Sequence, residues 1–133
     1  MNKTWICAFP TNDGIHLVNN HFGEAEYFDL YRIGKEEVTF LKRIENQSPE
    51  EKGHGDPNKA RNITQILKKE NVQVMLSLKF GGNIFRMLSQ FSCARVHDHV
   101  INSMALKVQQ QIDRIESNWE MGEHRRMIQF EED

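Results

Sequence analysis

Three strand-type runs stand together at the start of this chain, and after them helix-type and strand-type segments alternate; few folds accept that order. Residues 5–9 form an apolar run stopped by Pro10 and the turn signal Asn12-Asp13-Gly14. Residues 27–33 are rich in aromatic and branched side chains, and Gly34-Lys35-Glu36 turns the chain into residues 38–44. So short a connection makes the second and third strands an antiparallel hairpin. Asp56-Pro57 opens a helix, with Asp as N-cap and Pro at the first helical position, and Ala60, Ile63, Ile66 and Leu67 form its apolar face. Residues 72–78 read as a central strand. Gly81-Gly82-Asn83 leads into a second helix with Ile84, Leu88 and Phe91 inward. Residues 94–97 read as a fifth strand, and from Ile101 one long helix carries Met104, Val108, Ile112, Ile115 and Trp119 at spacings of three or four.

The order β-β-β-α-β-α-β-α predicts a single-domain α/β protein: a mixed sheet of five strands with helices on both faces. Right-handed crossovers restrict the topology further. A ribonuclease-H-like arrangement, with the second strand antiparallel to the rest, satisfies these rules. The domain spans residues 1–121, and residues 122–133 read as a charged tail.

Composition narrows the function classes. The 133 residues carry a net charge of −2, so no bulk positive field draws the chain to nucleic acid or acidic membranes. No apolar run approaches the roughly 20 residues of a transmembrane helix, and the apolar stretch near the N-terminus is cut short by Pro10. The chain therefore reads as cytoplasmic. Its two cysteines, Cys7 and Cys93, sit in apolar strand-type runs and read as buried, reduced thiols.

Parallel strands one, three, four and five would share one carboxyl edge, where open α/β sheets bind ligands. The segments leaving that edge bring His21 in Asn20-His21-Phe22-Gly23, His54 in Gly53-His54-Gly55, the turn Gly81-Gly82-Asn83, and His97-Asp98-His99. Four histidines far apart in sequence thus converge by topology. Helix N-termini opening there favour anions, and glycines allow close approach to the backbone. Imidazole binds borderline metals directly. Such an edge suits an anionic, metal-containing ligand better than a bare cation. His97 and His99 fit a solvated turn more readily than a site. Asp56 and Asp98 read as helix caps, and the methionines as core filler.

Ala8-Phe9-Pro10-Thr11-Asn12-Asp13-Gly14, then His21-Phe22-Gly23-Glu24-Ala25-Glu26-Tyr27-Phe28, then Gly53-His54-Gly55, resemble the nitrogenase iron–molybdenum cofactor biosynthesis accessory family. The resemblance covers roughly residues 5 to 115. It implies a ribonuclease-H-like fold and the binding or carrying of an iron–sulfur or iron–molybdenum cluster, or its precursor, without catalysis. The family's HFG histidine falls on His21, the histidine of its later glycine-flanked motif on His54, and its glycine-rich turn on Phe80-Gly81-Gly82-Asn83. The metal ligands so implied are His21 and His54, with Gly81, Gly82 and Asn83 completing the cofactor site. The implied partners are the cluster and cluster-assembly proteins.

Two rivals stand beside a cluster carrier. A ribonuclease-H-type enzyme needs carboxylates clustered around magnesium; the first strand has none, and Asp29 and Asp98 are isolated in sequence. A regulatory or interaction module would bind a small anion or a partner protein, with no metal and the histidines as structural pins.

Overall fold

The computed structural model describes residues 3–47 and 56–130. One sheet runs through it in the order β3-β2-β1-β4-β5-β6. Its strands are β1 (Thr4–Thr11), β2 (Tyr27–Gly34), β3 (Glu37–Glu45), β4 (Val74–Ser77), β5 (Ser92–Arg95) and β6 (Ile128–Gln129). β2 is antiparallel to both its neighbours, and β1, β4, β5 and β6 are parallel to one another.

The sheet has six strands rather than the expected five. The sixth comes from the segment read as a charged tail. Ile128 and Phe130, both buried, hold it in place, and the Phe130 N–H donates to the Arg95 carbonyl at 3.0 Å. A second difference lies in the long C-terminal helix, which is two helices, α3 (Ile101–Gln110) and α4 (Ile112–Glu120), broken at Gln111. The remaining helices are α1 (Pro57–Lys69) and the short α2 (Ile84–Met87). β5 begins two residues before the predicted fifth strand. None of the helices is long and apolar enough to cross a membrane, among the described residues.

Period-two alternation along the central strands builds a core on each face. Trp5, Cys7 and Phe9 of β1, with Val74 and Leu76 of β4, pack under Met104, Val108 and Ile115 of α3 and α4. Ala8 and Met75 face the other way, toward Ile63 and Leu67 of α1 and Met87 of α2. Helices therefore cover both faces, as expected. The same alternation puts Cys7 in one core and Cys93 in the other, so these free thiols stand on opposite sides of the sheet.

Two local features explain irregular sequence. In β3 the ladder slips, Leu30 pairing with Lys42 and Tyr31 with Phe40, which leaves Leu41 as the extra residue of a bulge and breaks the strand's alternation. α1 ends where Asn71 takes a left-handed φ of 62°, with the Val72 N–H closing back on the Leu67 carbonyl.

Candidate functional site

The segment from Thr11 to Glu24 crosses the carboxyl edge of the sheet, and its own polar side chains shape it. The Thr11 hydroxyl oxygen accepts from the Gly14 N–H at 2.9 Å and donates to the His16 carbonyl at 2.6 Å. Asp13 accepts from the backbone N–H groups of Ile15 and His16 and pairs with the His16 ring at Nδ1, each at 2.8 Å. The His16 ring first, then these two N–H groups, holds the Asp13 carboxyl well below the usual range. Gly14 needs its positive φ of 78°, and the Arg43 guanidinium lies where its side chain would be. That guanidinium also pairs with Asp29, itself only 2% exposed, at 2.8 Å.

The second motif is built the same way. The Asn12 side-chain oxygen accepts from the Glu26 N–H at 2.9 Å, and the Asn46 amide donates to the Gly23 and Ala25 carbonyls at 2.9 and 2.8 Å. Phe22 stacks on Phe28 with ring centroids 4.8 Å apart and on Phe80 at 5.9 Å. His21 forms a bridge with Lys79 just beyond β4, and the Phe22 N–H donates to the Lys79 carbonyl. Backbone pairing and aromatic stacking thus fix the histidine loop from both sides.

Beneath this loop a cavity of about 40 Å³ opens between the single turn Phe22–Glu24, α1 and α2. Among the described residues its polar side chains are His21, Glu24, Lys59 and Asn83; Ile63, Met75, Phe80, Ile84 and Met87 supply much of its apolar wall. Gly81 lines it too, and the His21 ring packs so closely there that a Cβ on Gly81 would come within 2.9 Å of Nδ1. The Asn83 amide donates to the Asp56 carbonyl at 2.9 Å, joining the starts of α2 and α1. Asp56 also caps α1 through the Asn58 N–H, as the sequence predicts.

Three of the expected site residues, His21, Gly81 and Asn83, therefore meet at one cavity, while Gly82 is not among its lining residues. His54, with Gly53 and Gly55, lies outside the described residues. His97 and His99 follow β5 and do not line the cavity; the His99 carbonyl accepts from the Leu17 N–H, and His16 bridges to Val100. The edge thus receives His16 as well. Asp98 serves the start of α3, accepting from the Val100 N–H at 3.0 Å and pairing with Ser103 and Lys107.

Lys59 is the residue that the sequence reading missed. It is 5% exposed, its stem runs beside Gly23, and its Nζ lies 4.0 Å from a Glu24 carboxylate oxygen. A signal existed: position 59 falls four residues before Ile63, on the apolar stripe of α1.

The donor set for a metal is short. Among the described residues no group of three or more His, Cys, Asp or Glu side chains stands close enough to hold an ion. Burial pushes the Cys93 thiol up to about 12 and the Cys7 thiol higher still, so neither supplies a thiolate.

Comparison with known proteins agrees with this architecture. A crystal structure from Methanocaldococcus jannaschii, described as a "putative dinitrogenase", superposes with a TM-score of 0.58 at 17% identity, covering 82% of this chain and 91% of its own. That likeness is one of fold. No curated protein matches the chain. Residues 3–116 match the model of the dinitrogenase iron-molybdenum cofactor family, and the chain belongs to that family.

Proposed function

We propose that the chain is a non-catalytic carrier for an iron–sulfur or iron–molybdenum-type cluster, or for its precursor, which it takes as cargo at the sheet edge beside His21. The observation that carries the reading is the meeting of His21, Gly81 and Asn83 at one cavity in a member of this family. Strand order and direction, with β2 alone reversed, support a ribonuclease-H-like description of the sheet.

The chemistry of the donors sets the mode of holding. One imidazole without a thiolate does not build an all-protein cage. The cargo would arrive with its own inorganic ligands, take one bond from His21, and rest its negative charge against the cavity's polar wall. His54 is the second imidazole in this reading. Cluster-assembly proteins are the partners that such reversible holding serves, and free, buried thiols suit a cytoplasmic setting.

The test is anaerobic incubation of the full chain with ferrous iron and sulfide, followed by gel filtration, metal analysis and visible absorbance. Bound iron with cluster absorbance is expected in the natural chain, with most of it lost in His21→Ala and in His54→Ala. Background iron in the natural chain would refute the reading. A second reading, a metal-free module that binds a small anion or partner, draws on the shortness of the donor set among the described residues. It predicts background iron together with saturable anion binding.

A further inference from the structure

The cavity under His21 has a composition unlike either a metal site or an ordinary oxyanion site. Its described polar lining includes a nearly buried ammonium, Lys59, and a carboxylate, Glu24, 4.0 Å from it. Much of the rest of the described lining is apolar or soft: Ile63, Ile84, Phe80, Met75 and Met87. Asn83 already gives one N–H to Asp56.

Lys59 disfavours a cation here, since a second positive charge would be desolvated beside the first. An anion gains the ammonium as counter-charge. The wall then selects between anions. A hard oxyanion loses tightly held water from several oxygens and meets few donors among the described lining residues in exchange. A sulfur-terminated anion is larger, more polarisable and less strongly hydrated, and it loses less on entering a wall built from methionine, phenylalanine and aliphatic side chains. A volume of about 40 Å³ is room for about three waters, enough for one terminal atom and its immediate neighbours but too little for a whole cluster.

We propose that this cavity is a thioanion subsite, in which Lys59 is the counter-charge for a terminal sulfur of the cargo. The inference rests on the carrier reading and adds to it the chemical class of the part that enters: anionic and sulfur-ended. Lys59 is then a selecting residue, and Glu24 is an internal competitor that holds the ammonium and is displaced from it on binding.

Thiosulfate and sulfate make the matched probes, being divalent tetrahedral anions that differ in one terminal atom. Calorimetric titration of the full chain with each should show thiosulfate binding about ten-fold tighter than sulfate. Lys59→Met, neutral and of similar length, should lose about ten-fold in thiosulfate affinity, and Lys59→Arg should recover part of it. Glu24→Gln should tighten thiosulfate binding several-fold, and it decides the matter if Lys59→Met fails to fold. Equal affinity for the two anions, binding of neither, or a Glu24→Gln chain that binds no tighter would overturn the proposal. Iron uptake measured on the same preparations separates the two ideas. Thiosulfate binding without iron uptake sinks the carrier and spares the subsite; iron uptake without anion selectivity does the reverse.

Discussion

Gly81→Ala is the sharpest single perturbation of the site. Gly81 does not adopt a positive φ, so alanine meets no backbone strain there. The new methyl would stand 2.9 Å from His21 Nδ1 and 3.4 Å from Cε1 and Cγ, which forces the ring to retreat by about half an ångström. The loop cannot retreat with it, because the Lys79 bridge and the Phe22 stack hold its backbone. The ring must therefore turn on its own side-chain bonds, at a cost of about 0.5–1.5 kcal/mol. Replacing glycine returns about 0.4–1 kcal/mol by restricting the unfolded chain. The two nearly cancel, so urea denaturation should place the variant within about 1 kcal/mol of the natural protein. Metal–ligand distances tolerate only about 0.2 Å, so a displacement of this size should lower anaerobic iron uptake by about ten-fold. Histidine ring C–H resonances report whether the ring has moved. A moved ring with undiminished uptake would show that His21 is not a ligand, and a stability loss above about 3 kcal/mol would show that Gly81 packs against more than a movable ring.

Two further outcomes test the frame around the site. Asp98, held down to about 2 by the Ser103 hydroxyl, then the Val100 N–H and Lys107, has a depressed folded pKa, so its stabilisation is present above its ordinary value of 3.8 and is lost as pH falls through about 2. With its side chain one-fifth exposed, Asp98→Asn should cost about 1–2 kcal/mol at pH 7, shrinking to about half that near pH 3; a difference that does not change with pH in urea titrations would refute the account. Phe22→Ala removes a 3%-exposed ring from between Phe28 and Phe80 and should cost about 3–4 kcal/mol in urea unfolding, and a loss below about 1 kcal/mol would mean that the stack is not what fixes the histidine loop.

What could be read from the sequence follows the reach of each signal. Helices on both faces were legible because helix-type segments alternate with strand-type ones, and a sheet strand as uniformly apolar as residues 5–9 must be covered on both sides. The convergence of His21 with Gly81 and Asn83 was legible because parallel strands must share an edge. β6 was not, since two residues carry no periodicity and its place comes from Ile128 and Phe130 filling a distant core. The break at Gln111 was hidden because Met104, Val108, Ile112 and Ile115 all stay in one core across it. Lys59 was hidden because lysine carries no apolar signal in a sequence pattern, although its stem packs beside Gly23 and its ammonium lies by Glu24.

The shape motifs and the chemistry of this edge are carried by different residues. Thr11, Asn12, Asp13 and Gly14 spend their hydrogen bonds on the turn and on Glu26, the Phe22 N–H and the Gly23 carbonyl spend theirs on Lys79 and Asn46, and the Phe22 ring is used in stacking. They hold the loop but leave little to offer a ligand. In the carrier proposed above, binding falls to His21 at the rim and Lys59 in the wall, one a nitrogen ligand and the other a counter-charge. A site made this way grips weakly by coordination and selects strongly by charge and softness. The proposed carrier role calls for that combination: cargo must be recognised on arrival, yet be held by few enough bonds to leave.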